Sequence, residues 1–334
     1  MTKRKDIYKK YSDPIIYKNL SVIYGDIDIN GDFLEKYLNL FLKLKAVIAG
    51  AYIYSINNLF YNIDYITFIC LGHGISYIKD FLYKDYYGIK RYNKIILPPS
   101  NKIILNAKKY GWNDDNIIKI GLPRWDILVE YENKIKYNYS KLKNSIFIMF
   151  TWREININQY ISKYYFKNIF KFINNYKLNI ALKKNDIILF FSFHHNLMKY
   201  KKYFNRNKFL KYIEQKNIID CLKKSSLVIT DFSSIIFDFF VRKRPYIIYI
   251  PDSEDSNLNK IYSKNYVNII NGFINGTIVF ENIFFNINKA INKVIFYIKN
   301  NFILDKKLEK FYDEFNLKGG NNTQKIIAYL ENLN

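Results

Sequence analysis

The sequence predicts an α/β protein whose parallel strands form two lobes facing across a cleft. Continuously apolar, β-branched runs recur along the chain, as strands buried on both faces require. Helical patterns lie between them, at 32–44, 158–175, 207–224 and 234–243. A polar stretch with no clear apolar period, YENKIKYNYSKLKN at 131–144, separates two such blocks. The lobes are therefore expected at 1–140 and 141–334, each Rossmann-like, and 334 residues is a comfortable length for two domains.

Taken in order, the strand runs of the first lobe are KAVIAGAYIY (45–54), YITFICL (65–71), KIILP (94–98) and NIIKI (116–120). Those of the second are SIFIMF (145–150), DIILFFSF (186–193), SLVIT (226–230) and YIIYI (246–250). Between the last two, DFSS is a turn with strong capping residues, IIFDFFVRK has helical spacing and Pro245 ends it. A closing helix is expected over 304–333, broken in two by KGGNNT at 318–323.

Composition narrows the function classes. Lys and Arg total 52 against 29 Asp and Glu, a formal charge of +23. Such an excess favours an anionic partner: a phosphate-rich substrate, an acidic membrane surface or nucleic acid. The crowding of Lys, Asn, Ile, Tyr and Phe gives a coding bias as a second source of the charge. The tyrosines lie mainly in apolar runs, where core packing explains them, and this argues against a nucleic-acid stacking groove. Cys70 and Cys221 adjoin apolar runs without metal spacing and read as reduced core residues. The basic N-terminus is not followed by an apolar signal core, and no apolar run approaches the ~20 residues of a spanning helix. A cytoplasmic protein is expected, with any membrane contact peripheral and on the inner face. Walker, GxGxxG, zinc-cluster and GxSxG patterns are missing, which removes the main support for kinase, NAD-enzyme and lipase readings, and neither metal nor cofactor is called for.

The chemistry-bearing residues fall just after strands, where α/β sheets bind ligands. The three histidines are His73, in GHGIS between Gly72 and Gly74, and the pair His194 and His195, in FFSFHHNL. Histidine suits proton transfer near neutral pH, and flanking glycines let a substrate approach closely. In TDFSSIIFD (230–238), Ser233 and Ser234 stand at a helix start, where hydroxyls and amides suit an anion, and Asp238 shares a helical face with Ser234. GLPRWD (121–126) and TWRE (151–154) each put an arginine, Arg124 and Arg153, just past a strand. Taken singly, each of these residues also has an ordinary structural reading as a turn, a cap or a solvated loop residue.

In this order and spacing the segments resemble the CDP-glycerol glycerophosphotransferases, the teichoic-acid primases and polymerases of GT-B architecture. GHGIS, GLPRWD, TWRE and TDFSSIIFD match in order, and the His194–His195 pair falls where that family places a His-Pro motif. The proline is replaced by His195, and position favours His194 as the equivalent residue. The resemblance implies transfer of glycerol phosphate from CDP-glycerol, or of ribitol phosphate from CDP-ribitol, to a hydroxyl of a cell-surface polymer or its lipid-linked precursor, with release of CMP. It implies His73 as base and His194 on the donor phosphate. Thr230, Asp231, Ser233, Ser234, Asp238 and Arg153 are then expected at the donor, and Gly72, Gly74, Arg124, Asp126 and His195 at the cleft. A nucleotide-sugar glycosyltransferase of the same fold, in capsule or surface polysaccharide synthesis, is the alternative.

Overall fold

A computed structural model describes residues 46–49, 67–72, 74–79, 82, 92–135, 144–151, 163–193 and 209–333. The expected helix at 32–44, the three histidines and Arg153 lie outside these residues.

The first sheet holds four parallel strands in sequential order: β1 (Ala46–Ala49), β2 (Thr67–Cys70), β3 (Lys94–Leu97) and β4 (Ile117–Lys119). Each lies inside an apolar run of the sequence. Helix α1 (Asn101–Lys108) follows β3, and α2 (Arg124–Ile135) begins inside the GLPRWD segment.

The second sheet has six parallel strands: β5 (Ser145–Phe150), β6 (Ile188–Phe193), β7 (Leu210–Tyr212), β8 (Leu227–Thr230), β9 (Tyr246–Tyr249) and β10 (Ile283–Phe284). Their spatial order is β10-β9-β8-β5-β6-β7. This is the doubly wound order, in which strand succession reverses between β5 and β8, and the crevice at such a switch point is where these sheets take ligands.

Helices cover both faces of this sheet. One face carries α3 (Lys163–Ile173), α4 (Tyr176–Lys184) and α9 (Ile287–Lys299), whose apolar sides join Ile146, Ile148, Leu189 and Ile229 in one core. The other face carries α5 (Ile218–Lys224), α6 (Ile236–Val241), α8 (Lys264–Ile274) and α10 (Lys306–Phe315). The short α7 (Leu258–Ile261) precedes α8. This second core also takes in Phe68, Cys70, Ile75 and Ile95 of the first lobe, so the two sheets share apolar packing. Tyr77 stands edge-on to Phe237, Phe280 and Phe315 with centroids 6.4, 6.0 and 5.1 Å away. Such aromatic pairs contribute about 0.5–1.5 kcal/mol each beyond area burial.

Two expectations change. The helical pattern at 207–224 opens instead as edge strand β7, then a 3-10 turn at Gln215–Asn217, and only then α5. Leu210 and Tyr212 flank exposed Lys211, a period of two that the longer pattern hid. The closing helix divides as expected, into α10 and α11 (Asn322–Glu331), but α11 crosses back. Its Ile326 packs with Ile69, Ile96 and Ile118 of the first sheet. The last helix thus covers the N-terminal lobe, although it follows the C-terminal one in sequence.

Candidate active site

The site is built where β2, β5 and β8 end. β8 delivers Thr230 and Asp231, both fully buried. The Thr230 hydroxyl donates to the Met149 carbonyl on neighbouring β5, which ties the two strands at the switch point. Asp231 accepts from the Thr151 amide through both carboxylate oxygens, at 2.9 and 3.1 Å, and from its own Phe232 amide at 2.8 Å. Thr151 is held from the other side by Tyr165, whose hydroxyl donates to the Thr151 carbonyl at 3.0 Å. A buried carboxylate with charge-assisted bonds of this kind is a rigid brace. It fixes the first residue of the TWR turn, from which Trp152 and Arg153 follow in sequence. Thr230 and Asp231, expected at the donor, are thereby engaged in shaping its platform.

Past Asp231 the chain turns through Phe232, Ser233 and Ser234 into α6. The turn is tight: the Phe237 and Asp238 amides donate to the Ser234 and Ile235 carbonyls, each at 3.1 Å. Ser233 Oγ accepts weakly from the Ile235 amide at 3.5 Å. The amides expected to meet an anion at this helix start are partly spent inside the turn, which leaves the hydroxyls of Ser233 and Ser234, both half-buried, as polar groups at the surface of the crevice.

The GHG segment meets this turn. Gly72 has φ +67°, a conformation that side chains rarely adopt, so the glycine is required where the chain leaves β2. Gly74 is required for space. A Cβ there would overlap Ser234 Oγ and stand 3.0 Å from Ser234 Cβ. The two motifs, from different lobes, are in van der Waals contact. The Lys79 ammonium lies 5.5 Å over the Phe232 ring, and so adds positive charge beside the turn. Burial pushes the Cys70 thiol, just before Gly72, up to about 12 even though a Gly72 backbone hydrogen bond lowers it, so it stays protonated at neutral pH.

Asp238 and GLPRWD are joined in a way their spacing does not reveal. Asp238 is buried, and its Oδ1 accepts from Arg124 Nε at 2.9 Å and from Trp125 Nε1 at 2.7 Å. Neither Arg124 nor Asp238 lies open to a cleft as expected; together they clamp α2 of one lobe to α6 of the other. Asp126 caps α11: its carboxylate accepts from the amides of Asn322 and Thr323, both at 2.8 Å, and from their side chains at 2.9 and 2.7 Å. Gly121 completes the junction, its amide donating to Asn322 Oδ1 at 3.0 Å.

A second clamp was not foreseen. Glu132 of α2, Arg242 and Arg244 are all buried, and Glu132 accepts from Arg242 Nε at 2.8 Å and from Arg244 Nε and Nη2 at 3.2 Å. Arg242 also donates to the Ser225 and Lys223 carbonyls, each at 2.9 Å. Burial pulls the Arg242 pKa down, with Glu132 beside it acting in the opposite direction. No local pattern marks this cluster, because its partners are more than a hundred residues apart; Trp125 and Asn322 escaped notice for the same reason.

Comparison with known proteins agrees with this architecture. The chain is 26% identical over 315 residues to the minor teichoic acid biosynthesis protein GgaB of Bacillus subtilis (strain 168), covering 87% of this chain and 32% of GgaB. It therefore spans about a third of that relative's length. The solved wall teichoic acid polymerase TagF superposes with a TM-score of 0.61 at 19% identity, over 98% of this chain and 84% of TagF. The UDP-GlcNAc 2-epimerase of Methanocaldococcus jannaschii superposes with a TM-score of 0.51 at 16% identity, over 97% of this chain and 89% of the epimerase. At such identities these two likenesses establish the fold, α/β with parallel sheets and GT-B-like. The sequence profile of a single family matches residues 76–332, and by that match the chain belongs to the CDP-Glycerol:Poly(glycerophosphate) glycerophosphotransferase family.

Proposed function

We propose that the chain transfers a polyol phosphate, glycerol phosphate first among them, from a CDP-linked donor to a hydroxyl of a cell-surface polymer or its lipid-linked precursor. The observation that carries this reading is the contact of the GHG backbone with Ser234, which brings a histidine-bearing segment of one lobe onto the turn at the other lobe's switch point. Base and donor site then come from different lobes, an arrangement suited to holding an acceptor between them.

In the proposed step an acceptor hydroxyl oxygen attacks the phosphorus that bears the polyol. The bond from that phosphorus to the bridging oxygen breaks, and the electron pair leaves with CMP. His73 takes the hydroxyl proton; a positioned base contributes roughly 10²–10⁴-fold. His194 and the hydroxyls of Ser233 and Ser234 stabilise the phosphate charge as it shifts, with Arg153 as a further cation. His195 lines the cleft beside them. Thr230, Asp231, Asp238 and Arg124 act as positioning residues through the contacts described above.

Calorimetry with CDP-glycerol, CDP, UDP and ADP tests the donor assignment. Tighter binding of the cytidine ligands is expected, and Ser233→Ala or Ser234→Ala should weaken it by about 1 kcal/mol or more per lost charge-assisted bond. Equal affinity for all three nucleotides removes the cytidine assignment, and preference for UDP favours a nucleotide-sugar transferase.

A further inference from the structure

The positive charge of this protein is not spread evenly over its helices. The three that cover the outer face of the second sheet, α3, α4 and α9, carry three lysines each and no carboxylate over 33 residues. Helices α2 and α10, on the side facing the first lobe, carry six carboxylates in 22 residues. A coding bias toward lysine acts on every helix alike and does not produce this division.

The same face exposes apolar side chains. Tyr176 is 77% exposed and Ile303, one turn past α9, 68%; Ile180, Phe296 and Phe170 are exposed as well. In each helix they share a stripe with lysines. Lys163, Lys167, Phe170 and Lys171 follow one another at helical spacing on α3, as do Tyr176, Ile180 and Lys184 on α4 and Lys289, Phe296 and Ile303 along α9. The opposite sides of these helices are buried in the core with Ile169, Leu178, Leu182 and Val294. Carboxylates stand only at the rim. Asp186 follows α4, Asp305 pairs with Lys293 at 3.0 Å, and Glu254 meets the Tyr164 hydroxyl at 3.3 Å.

We propose that this face docks on an anionic lipid bilayer. Lysines alone would suit any polyanion. Tyrosine, phenylalanine and isoleucine set among them suit a surface with acyl chains beneath its charge, where apolar groups insert and ammonium groups reach the phosphates. None of the described helices is long and apolar enough to cross a membrane, so the contact is peripheral. This goes beyond the transfer chemistry and does not depend on it.

The test is co-sedimentation of the chain with vesicles of phosphatidylcholine alone and with about one third phosphatidylglycerol. Binding is expected only to the anionic vesicles and should fall as salt is raised. Lys167→Gln, Lys171→Gln, Lys177→Gln and Lys184→Gln together should lower the partition coefficient by about tenfold or more. The same change at Lys306, Lys310, Lys318 and Lys325, on the other side of the molecule, should leave it nearly unchanged. Tyr176→Ser with Ile303→Ser should weaken vesicle binding but not binding to soluble polyphosphate. Circular dichroism confirms that each variant is folded. The proposal is overturned if anionic vesicles are not bound at low salt, or if both lysine sets act equally. It is also overturned if the apolar changes have no effect, which would assign the face to a soluble polyanion.

Discussion

Gly74 and Ser234 belong to different lobes, and the absence of one side chain lets them touch. That absence is testable by a double-mutant cycle. Gly74→Ala adds a methyl that overlaps Ser234 Oγ and crowds its Cβ, so the GHG segment or the serine turn must shift. The segment lies at the surface of the crevice, so melting temperature should change little, while turnover should fall by about tenfold or more, since small misplacements in a site are costly. In a Ser234→Gly background the added methyl has room, and its further effect should largely vanish. Non-additivity of this sort is the mark of contact, with coupling of about 0.5–3 kcal/mol. Additive losses would place the two residues apart in the working enzyme. The sequence showed that these glycines serve a turn and a close approach. It could not show what approaches, because Ser234 lies 160 positions further on.

At the scale of elements, the motifs serve as joints as much as reacting groups. GLPRWD reads as a strand end with an arginine for phosphate, yet its side chains bind protein. Arg124 and Trp125 meet Asp238, and Asp126 caps α11. A carboxylate at a helix start satisfies amides that have no partner within the helix and interacts favourably with its dipole. Asp126→Ala should therefore lower stability by about 1–2 kcal/mol, read as a drop in thermal midpoint, with nucleotide affinity retained. Loss of nucleotide binding at unchanged midpoint would return Asp126 to the cleft. Strand positions were legible because parallel strands buried on both faces read as continuous apolar runs. The edge strands β7 and β10 were not, since three residues at Leu210–Tyr212 and two at Ile283–Phe284 are too short for a period to show. The serine turn was legible in place but not in its hydrogen bonding, which depends on how tightly the chain enters α6.

For the whole molecule, the junction between lobes is a packed and ionic interface. Asp238 with Arg124 and Trp125, and Glu132 with Arg242 and Arg244, hold α2 against the second lobe, while α11 reaches back to the first sheet. Lobe order and the general boundary near 131–144 followed from composition; the return of α11 did not, because an amphipathic helix does not state which sheet it covers. The central claim, phosphoryl transfer from a CDP-linked polyol with His73 as base, rests on this closed arrangement and on the family. Release of nucleotide is its most direct measurement. The chain is incubated with an acceptor polymer and, in separate reactions, CDP-glycerol, CDP-ribitol and UDP-sugars, and CMP and UDP are followed over time. The account predicts acceptor-dependent CMP release from a CDP-polyol and none of UDP, with His73→Ala slowing release by about 10²-fold while the folded variant still binds donor. UDP release from a sugar donor, or near wild-type CMP release by His73→Ala, would contradict it.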